Sequence, residues 1–164
     1  RLVRDWSSDV CSSDLNIHRH RLSADKDIKG GTKIIQYKGK KITNKESNEN
    51  KKYGWDITYL FTLNKKYLLD GDFKYNTARL VNHSCNPNCE VLDNNGSEIW
   101  ISAIRNIKKN EELTYDYGFS FDSYYKDHVC KCGSDNCVGY IIREGSRWRI
   151  QKPIKLTKIG RAHV

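Results

Sequence analysis

The sequence contains no methionine and no long hydrophobic run. Because an initiator methionine is absent, we expect these 164 residues to be a fragment or a processed chain. No apolar stretch approaches the roughly 20 residues that a membrane-spanning helix needs, and no secretory signal peptide is apparent. These absences argue against a membrane-spanning or conventionally secreted protein, and the length predicts one domain.

Both ends of the chain differ in character from the rest. Residues 1–15 and 158–164 resemble translations of sequencing-adapter DNA, so we exclude them from the fold prediction. A genuine Ser/Asp-rich leader is the alternative for the first segment. The two segments carry formal charges of −1 and +2, so the +9 of the whole chain becomes +8 for the remainder. A basic domain suits an anionic partner, but the lysines are scattered, which makes the charge weak evidence for nucleic acid.

Cysteines are few, and five remain once Cys11 is set aside with the N-terminal segment. Three of them form the pattern Cys130-x-Cys132-x4-Cys137. Such tight spacing without a secretory signal favours metal thiolates over disulfides. A structural zinc site needs four ligands, so one more must come from a distant part of the chain. We predict that the cysteine loop shares one zinc ion with the polar stretch 79–89.

Short strands joined by polar turns dominate the predicted secondary structure. Alternation, β-branched runs and turn residues predict strands at residues 32–37, 57–63, 67–69, 90–92 and 98–104. The second and third of these pair as a hairpin, and so do the last two. Residues 38–54 are polar, and we expect a solvated loop or a short exposed helix there, with a helical turn near residues 77–80. The domain is therefore predicted to be compact and mostly β.

Two further motifs, together with the cysteine loop, resemble one protein family. The first reads Asn-His-Ser-Cys-Asn-Pro-Asn at residues 82–88, and the second reads Glu-Leu-Thr-Tyr-Asp-Tyr-Gly at residues 112–118. In this order and spacing, the three motifs resemble the SET-domain protein-lysine methyltransferases that carry a post-SET zinc loop. The resemblance runs from about residue 17 to residue 140, which is most of the chain between the two excluded ends.

This resemblance implies a mostly β SET-domain fold of small β-sheets around a knot-like core, with a C-terminal zinc-binding post-SET loop. In that core, residues 82–83 lie beside residues 113–117, and one segment is threaded through a loop. The implied organisation is 1–15 adapter-derived artefact, 16–126 SET domain, 127–145 post-SET zinc loop, 146–157 C-terminal extension and 158–164 adapter-derived artefact.

The resemblance also completes the predicted zinc site. It assigns the fourth ligand position to Cys85, which joins Cys130, Cys132 and Cys137. Four thiolates leave no open position for water, so the implied zinc is structural, and it holds the C-terminal loop over the substrate cleft. Cys89 matches no ligand position, and we expect it to be a free, half-buried thiol.

The implied activity is transfer of a methyl group from S-adenosylmethionine to a lysine amine of a histone or histone-like protein. The amine must be neutral to attack, and an aromatic channel helps because it desolvates the ammonium group and lowers its pKa. Tyr117 matches the catalytic tyrosine of the family. Tyr115 matches the position that tunes how many methyl groups fit, and a tyrosine there favours mono- or dimethylation.

Further site residues follow from the same resemblance. The aromatic walls of the substrate lysine channel match Tyr37, Phe61 and Phe121, and Tyr59 matches a tyrosine of the channel near the methyl group. The cofactor contacts match Asn82 and His83, and Tyr140 is placed over the adenine ring. Taken alone, each of these aromatic residues is more often part of a core, and a lone histidine is more often a hydrogen-bonded core residue than a functional one.

The chain departs from the family pattern near its N-terminus. Arg19 and Arg21 stand where a Gly-x-Gly turn lets the backbone approach the cofactor. Ser23 stands where an aromatic residue is usual, Lys40 stands in place of a glutamate, and no pre-SET cysteine cluster is present. Either the sequence is corrupted near residue 19, or the domain binds the cofactor poorly.

Two alternatives to the enzyme therefore stay open. One is a catalytically impaired SET-like module that binds basic tails or chromatin. The other is a zinc-dependent nucleic-acid binder, whose affinity would fall steeply with salt. For the enzyme we expect a monomer whose partner is a protein with a target lysine, such as a histone tail, and no membrane partner. We expect a nuclear location in a eukaryote, and a cytoplasmic protein or secreted effector in a bacterium.

Overall fold

Short β-strands make up most of the regular structure in the computed structural model, which describes residues 15–18, 21–49, 59–94 and 96–150. The strands in chain order are β1 Leu15–His18, β2 Arg21–Ala24, β3 Lys33–Tyr37, β4 Lys40–Thr43, β5 Leu60–Thr62, β6 Tyr67–Asp70, β7 Asn82–His83, β8 Cys89–Asn94, β9 Glu98–Ala103 and β10 Thr114–Tyr115. The helical elements are α1 Asn44–Glu49 and the 3-10 helices Thr77–Leu80, Tyr125–Asp127 and Glu144–Arg149. None of the helices in these ranges has the length and hydrophobicity that crossing a bilayer requires. The prediction of a mostly β domain with little helix is confirmed.

The strands form four small sheets. One antiparallel three-stranded sheet has the order β3-β9-β8, and the other has the order β4-β6-β5. β1 pairs with β2 as an antiparallel hairpin, and β7 pairs with β10 in parallel. The pairing of β3 with β9, in which Tyr37 lies opposite Ile99, brings the start of the domain beside its middle.

Turn side chains explain the two predicted hairpins. In the β8–β9 turn, the Asp93 carboxylate accepts the N–H of Gly96 at 2.7 Å, and Gly96 takes a φ of 69°, which glycine adopts without a steric penalty. In the β5–β6 turn, Oδ1 of Asn64 accepts the N–H groups of Lys66 and Tyr67 at 2.9 and 3.1 Å. Both hairpins are confirmed.

The prediction for residues 38–54 is right only in part. The short exposed helix is α1, and it begins with a capping box in which Thr43 Oγ1 accepts the N–H of Glu46 at 3.1 Å and Glu46 Oε2 accepts the N–H of Thr43 at 2.7 Å. The residues before it form β4 against β6, because Ile42 provides an anchor that is only 2% exposed. One apolar residue in a lysine-rich run is too weak a pattern to predict a strand. Residues 50–58 lie outside the described ranges.

The hydrophobic core joins side chains from β2, β3, β6, β8 and β9. Its largest fully buried members include Leu22, Ile34, Ile99, Ile101, Ile107 and Leu113. Cys89, which opens β8, also lies in this core and is 1% exposed, so the prediction of a half-buried thiol is wrong. Burial raises the pKa of this thiol to about 12, which keeps it protonated at neutral pH.

A two-residue parallel pairing joins the two polar motifs. Asn82 lies opposite Thr114, and His83 lies opposite Tyr115. The amide side chain of Asn88, which is 2% exposed, stabilises this pairing, since its Oδ1 accepts the N–H of Thr114 at 2.9 Å and its Nδ2 donates to the carbonyl of residue 112 at 2.8 Å. The two segments therefore lie side by side as expected. Threading of one of them through a loop stays a prediction.

The packing around Gly71 leaves no room for a side chain at this position. A Cβ at this position would lie inside van der Waals distance of the Tyr37 ring, whereas a Cβ at Gly145 would meet no outside atom within 4 Å. We expect Gly71→Ala to lower the free energy of unfolding by about 1–3 kcal/mol, because the buried ring must move. Gly145→Ala is the matched control and should change it by less than about 0.5 kcal/mol. Urea unfolding checks both values, and equal effects would contradict this account of the packing.

Candidate active site and metal centre

A cavity of about 390 Å³ lies where the two polar motifs meet the cysteine loop. Its lining comes from residues 82–84, from Glu112, Thr114 and Tyr117, and from residues 130–132, together with Arg21 and Ile141. The structure thus brings three of the predicted catalytic and cofactor-binding residues, Asn82, His83 and Tyr117, to one cavity, together with two of the predicted metal ligands. Its size lies within the usual range of small-molecule sites.

Charged and amide groups line one part of this cavity. Asn82 Nδ2 donates to Glu112 Oε1 at 2.8 Å, and Arg21 Nη1 lies 3.6 Å from Glu112 Oε2. The Arg21 side chain is 64% exposed, so solvent screens this ion pair and it contributes little stability. A largely exposed cation therefore stands at the position where the family pattern has glycine. Arg19, the other departure, lies outside the described residues.

His83 connects the cavity to the cysteine cluster. Its ring is buried, and Nδ1 accepts the backbone N–H of Tyr117 at 3.2 Å while Nε2 lies 3.5 Å from Cys85 Sγ. Burial lowers the pKa of His83, and Arg147 adds to this effect while Asp116 opposes it, so the ring is neutral at pH 7. Because Nδ1 accepts, the single ring proton is on Nε2 and points toward the sulfur.

Aromatic rings continue from the cavity into the core. Tyr117 packs against Tyr115 with ring centroids 4.9 Å apart, Tyr115 lies 5.9 Å from Phe61, and Phe61 lies 4.5 Å from Tyr37. The Tyr37 hydroxyl donates to the carbonyl of Tyr59 at 3.0 Å. Five of the predicted catalytic and channel residues thus form one contiguous cluster.

Three phenols of this cluster, those of Tyr37, Tyr115 and Tyr117, are neutral. Desolvation raises the pKa of Tyr117 to about 12, and it also raises the pKa values of Tyr115 and Tyr37. The Tyr117 hydroxyl donates to the carbonyl of Val81 at 3.1 Å, so its oxygen still has lone pairs with which to accept a hydrogen bond. The cluster can therefore desolvate a cation and accept from it without supplying a full negative charge.

Two predicted residues lie apart from this cluster. Phe121 stacks on Tyr125 at 4.7 Å, and Tyr125 in turn contacts Tyr140 at 5.2 Å. No ring pair within the described ranges joins this second group to the rings around Tyr117. Tyr140 is also not among the residues that line the cavity, where its neighbour Ile141 stands instead. The assigned roles of Phe121 and Tyr140 stay predictions.

The four predicted metal ligands converge on one point. The sulfur atoms of Cys85, Cys130, Cys132 and Cys137 all lie within 4.8 Å of one another. The Cys85 and Cys130 sulfurs are 3.9 Å apart, far beyond the roughly 2.05 Å of a disulfide. Tetrahedral zinc with bonds of about 2.3 Å separates its sulfur ligands by about 3.8 Å. The residues present therefore fit a closed, structural zinc ion, and Cys89 is not part of the group.

Nearby hydrogen-bond donors stabilise the thiolate form of some of these cysteines, which is the form that binds a metal cation. The N–H of Cys85 points at Cys132 Sγ at 3.5 Å, and the N–H of Gly139 points at Cys137 Sγ at 3.4 Å. Although burial raises the pKa of Cys132, hydrogen bonds from the Ser134 hydroxyl and from the Cys85 N–H bring it down to about 6. Burial raises the pKa of Cys85, and this thiol would bind Zn²⁺ as a thiolate, because a bound cation would lower its pKa.

Two residues that the sequence analysis did not single out complete the site. Asp116 lies between Tyr115 and Tyr117, and its Oδ2 accepts from Arg147 Nη2 at 2.6 Å. Asp116 was visible as part of the second motif, but a polar residue between two tyrosines reads as the exposed position of a strand. Arg147 gave no signal, because nothing in its local sequence indicates that its side chain is buried.

Known proteins resemble this chain over most of its length. A family model described as "SET domain" matches residues 20–118. Histone-lysine N-methyltransferase 2D of Homo sapiens is 36% identical over 143 residues, covering 84% of this chain and 3% of that protein. Histone-lysine N-methyltransferase trithorax of Drosophila virilis is 37% identical over 133 residues, covering 77% and 3%. Histone-lysine N-methyltransferase, H3 lysine-4 specific, of Aspergillus oryzae is 35% identical over 133 residues, covering 76% and 11%. The chain thus spans only a small part of each relative.

The metal assignment predicts which cysteine can be replaced. We expect about one zinc per chain in the purified protein and in Cys89→Ser, because a closed thiolate site takes one ion. Cys85→Ser removes one of four ligands and should lose most of the metal. Metal content after dialysis against a weak chelator measures this by mass spectrometry. Retention of zinc by Cys85→Ser, or equal loss from both variants, would contradict the assignment.

Proposed function

This chain belongs to the SET-domain family, and we propose that it transfers a methyl group from S-adenosylmethionine to a lysine side chain of a protein. The observation that carries the proposal is the shared cavity, in which Asn82, His83 and Tyr117 meet beside a buried aromatic cluster. This arrangement supports a site for a polar cofactor in the cavity, next to aromatic rings that could surround an alkyl ammonium group.

The cavity lining fits the proposed cofactor. S-adenosylmethionine, when bound, supplies a methyl group on a positively charged sulfur and carries an amino-acid moiety with charges of both signs. Glu112 and Arg21 offer charges of both signs to such a moiety, and Asn82 offers an amide that already donates to Glu112. The opposed charges of the protein explain how one small cavity suits a zwitterion.

The aromatic cluster performs the other half of the proposed chemistry. A free lysine has a pKa of about 10.4, so most of its amines are protonated at neutral pH. Rings such as Tyr115 and Phe61 desolvate the ammonium group, which lowers its pKa and releases the nucleophilic lone pair. The neutral phenol of Tyr117 then holds the amine by accepting a hydrogen bond, and in-line orientation lowers the barrier.

Substrate and product are finer parts of the same proposal. The names of the relatives support a histone tail as the substrate, and therefore a nuclear location. The Tyr115 hydroxyl occupies space that a bulkier methylated amine would need, which supports mono- or dimethylation as the product. The zinc site pins the cysteine loop against the cavity, and we assign that loop as a post-SET segment because residues 130–132 line the cavity.

A second candidate is a SET-like module that binds basic tails without catalysis. The specific observation in its favour is Arg21, which lines the cavity where the family pattern has a glycine. Its side chain occupies part of the cofactor volume unless it swings outward. Because this side chain is 64% exposed and its partner distance is 3.6 Å, we expect that it can move and that the enzyme is the better candidate.

Substitution of the tyrosine at the cavity tests the proposal. We expect Tyr117→Phe to lower the rate of methyl transfer by at least about 100-fold, because the amine loses its hydrogen-bonding partner in the transition state. The assay follows label from S-adenosylmethionine into core histones, and mass spectrometry of the product peptides counts the methyl groups. Tyr75→Phe, at a position that is 61% exposed, is the matched control and should transfer at the wild-type rate.

The outcome also separates the two candidates. Equal label from wild type and Tyr117→Phe would contradict the assigned role of Tyr117. A wild-type protein that transfers no methyl group and binds no S-adenosylmethionine, but still binds histone peptides, would favour the non-catalytic module.

A further inference from the structure

Arg147 is a buried cation that belongs to the C-terminal 3-10 helix Glu144–Arg149. Its side chain is only 9% exposed, although arginine is rarely buried without a partner. It lies well beyond residue 118, where the match to the family model ends. The helix also includes residues 146–149, which belong to the predicted C-terminal extension. This segment is therefore continuous with the structure around the site.

The guanidinium of Arg147 makes three hydrogen bonds to three parts of the chain. Nε donates to the carbonyl of Ile142 at 2.9 Å, which holds the side chain against its own segment. Nη1 donates to the carbonyl of Cys85 at 2.7 Å, and Nη2 donates to Asp116 Oδ2 at 2.6 Å. The planar fork of an arginine suits such divergent acceptors, and the single ammonium group of a lysine does not.

The first distant partner is a metal ligand. The carbonyl of Cys85 accepts from Arg147 and also from Asn136 Nδ2 at 2.8 Å. Asn136 directly precedes Cys137, another ligand of the proposed zinc ion. The peptide that carries the Cys85 thiol is thus fixed by donors from both the cysteine loop and the C-terminal helix.

The second distant partner lies between the two tyrosines of the site. Besides the Arg147 pair, Asp116 accepts the N–H of Gly118 at 2.9 Å and the N–H of Glu144 at 2.9 Å. Its Oδ1 also lies 3.8 Å from Nδ1 of the neutral His83 ring. These contacts fix the backbone on both sides of Tyr117, whose own N–H is bound to His83.

We infer that Arg147 is a positioning residue that holds the zinc ligand Cys85 and the tyrosine segment 115–117 in one fixed arrangement. Through Cys85 it slows the release of zinc, and through Asp116 it orients Tyr117 toward the cavity. Its effect on methyl transfer rests on the proposed function, whereas its effect on zinc does not. A purely structural arginine would change the unfolding free energy without a selective effect on metal release or turnover.

The experiment compares two lysine substitutions in the same helix. Arg147→Lys keeps the charge but loses the fork, and we expect zinc to pass to a chelating dye about 10–100-fold faster, as is typical when an outer partner of a metal ligand is removed. Arg149→Lys, at an exposed position, should release zinc at the wild-type rate. Both rates are measured at a temperature where circular dichroism shows each variant folded.

Turnover provides the second readout. We expect Arg147→Lys to lower kcat for methyl transfer at least tenfold while KM for the peptide changes less than threefold, since the substrate still binds but Tyr117 is misplaced. A folded Arg147→Lys protein that releases zinc at the wild-type rate would overturn the inference. If wild type itself transfers no methyl group, the proposed function fails, and the zinc-release comparison still decides the role of Arg147.

A second variant keeps the inference testable if Arg147→Lys does not fold. Asp116→Asn preserves the shape of the acceptor but removes its charge, so the arginine loses its ionic partner. We expect faster zinc release from this variant as well, by at least threefold, because Arg147 is then held less firmly against Cys85. Wild-type release from folded Asp116→Asn would overturn the inference.

Discussion

The structure of the site depends on one short pairing, in which β7 and β10 lie side by side in parallel. Parallel strands are separated by long connections, and two residue pairs cannot hold them together alone. The pairing is stable because Asn88 bonds its buried amide to the backbone of the second segment, and because the N–H of Ser84 donates to the carbonyl of Tyr115 at 3.1 Å. Next to this pairing, Asn82 and His83 line the cavity, and Cys85, two residues later, lies beside the other three predicted metal ligands.

The groups near the pairing of β7 with β10 are mostly neutral, and the buried charge beside them is paired with an opposite charge. His83 and the phenols of Tyr37, Tyr115 and Tyr117 are uncharged because burial disfavours their ionised forms. The buried charge of Arg147 is matched by Asp116 and by two carbonyl groups. Buried ion pairs of this kind often add little net stability but define a unique arrangement. In this protein, these contacts hold the segment that lines the cavity in a fixed position relative to the predicted metal ligand Cys85.

Local patterns in the sequence were sufficient for the hairpins and for the mostly β class. Turn residues such as Asp93 and Asn64 act on their nearest neighbours, so their effect is visible in a short window. The pairing of β7 with β10 joins residues about thirty positions apart, and only the family resemblance indicated it. The burial of Ile42 could not be predicted in the same way, because it depends on pairing with β6 and not on its lysine-rich neighbours.

The same distinction applies to the site residues. The sulfurs of the four predicted ligand cysteines converge as the resemblance implied, and three of these cysteines lie in one tightly spaced motif. Phe121 stacks on Tyr125 in a separate aromatic group, and no local pattern in the sequence indicated this contact. Arg147 was missed because its three partners come from residues 85, 116 and 142. Buried polar contacts between distant segments leave no periodic trace in a sequence.

We propose that the four predicted metal ligands and the proposed cofactor cavity form one structural unit. Calorimetric titration of S-adenosylmethionine into the zinc-loaded protein, and into the same protein after chelation, tests it most directly. We predict saturable binding that weakens at least tenfold on zinc removal, which is about 1.4 kcal/mol, and that returns when one equivalent of zinc is restored. Unchanged affinity in a zinc-free protein that circular dichroism shows to be folded would contradict the claim.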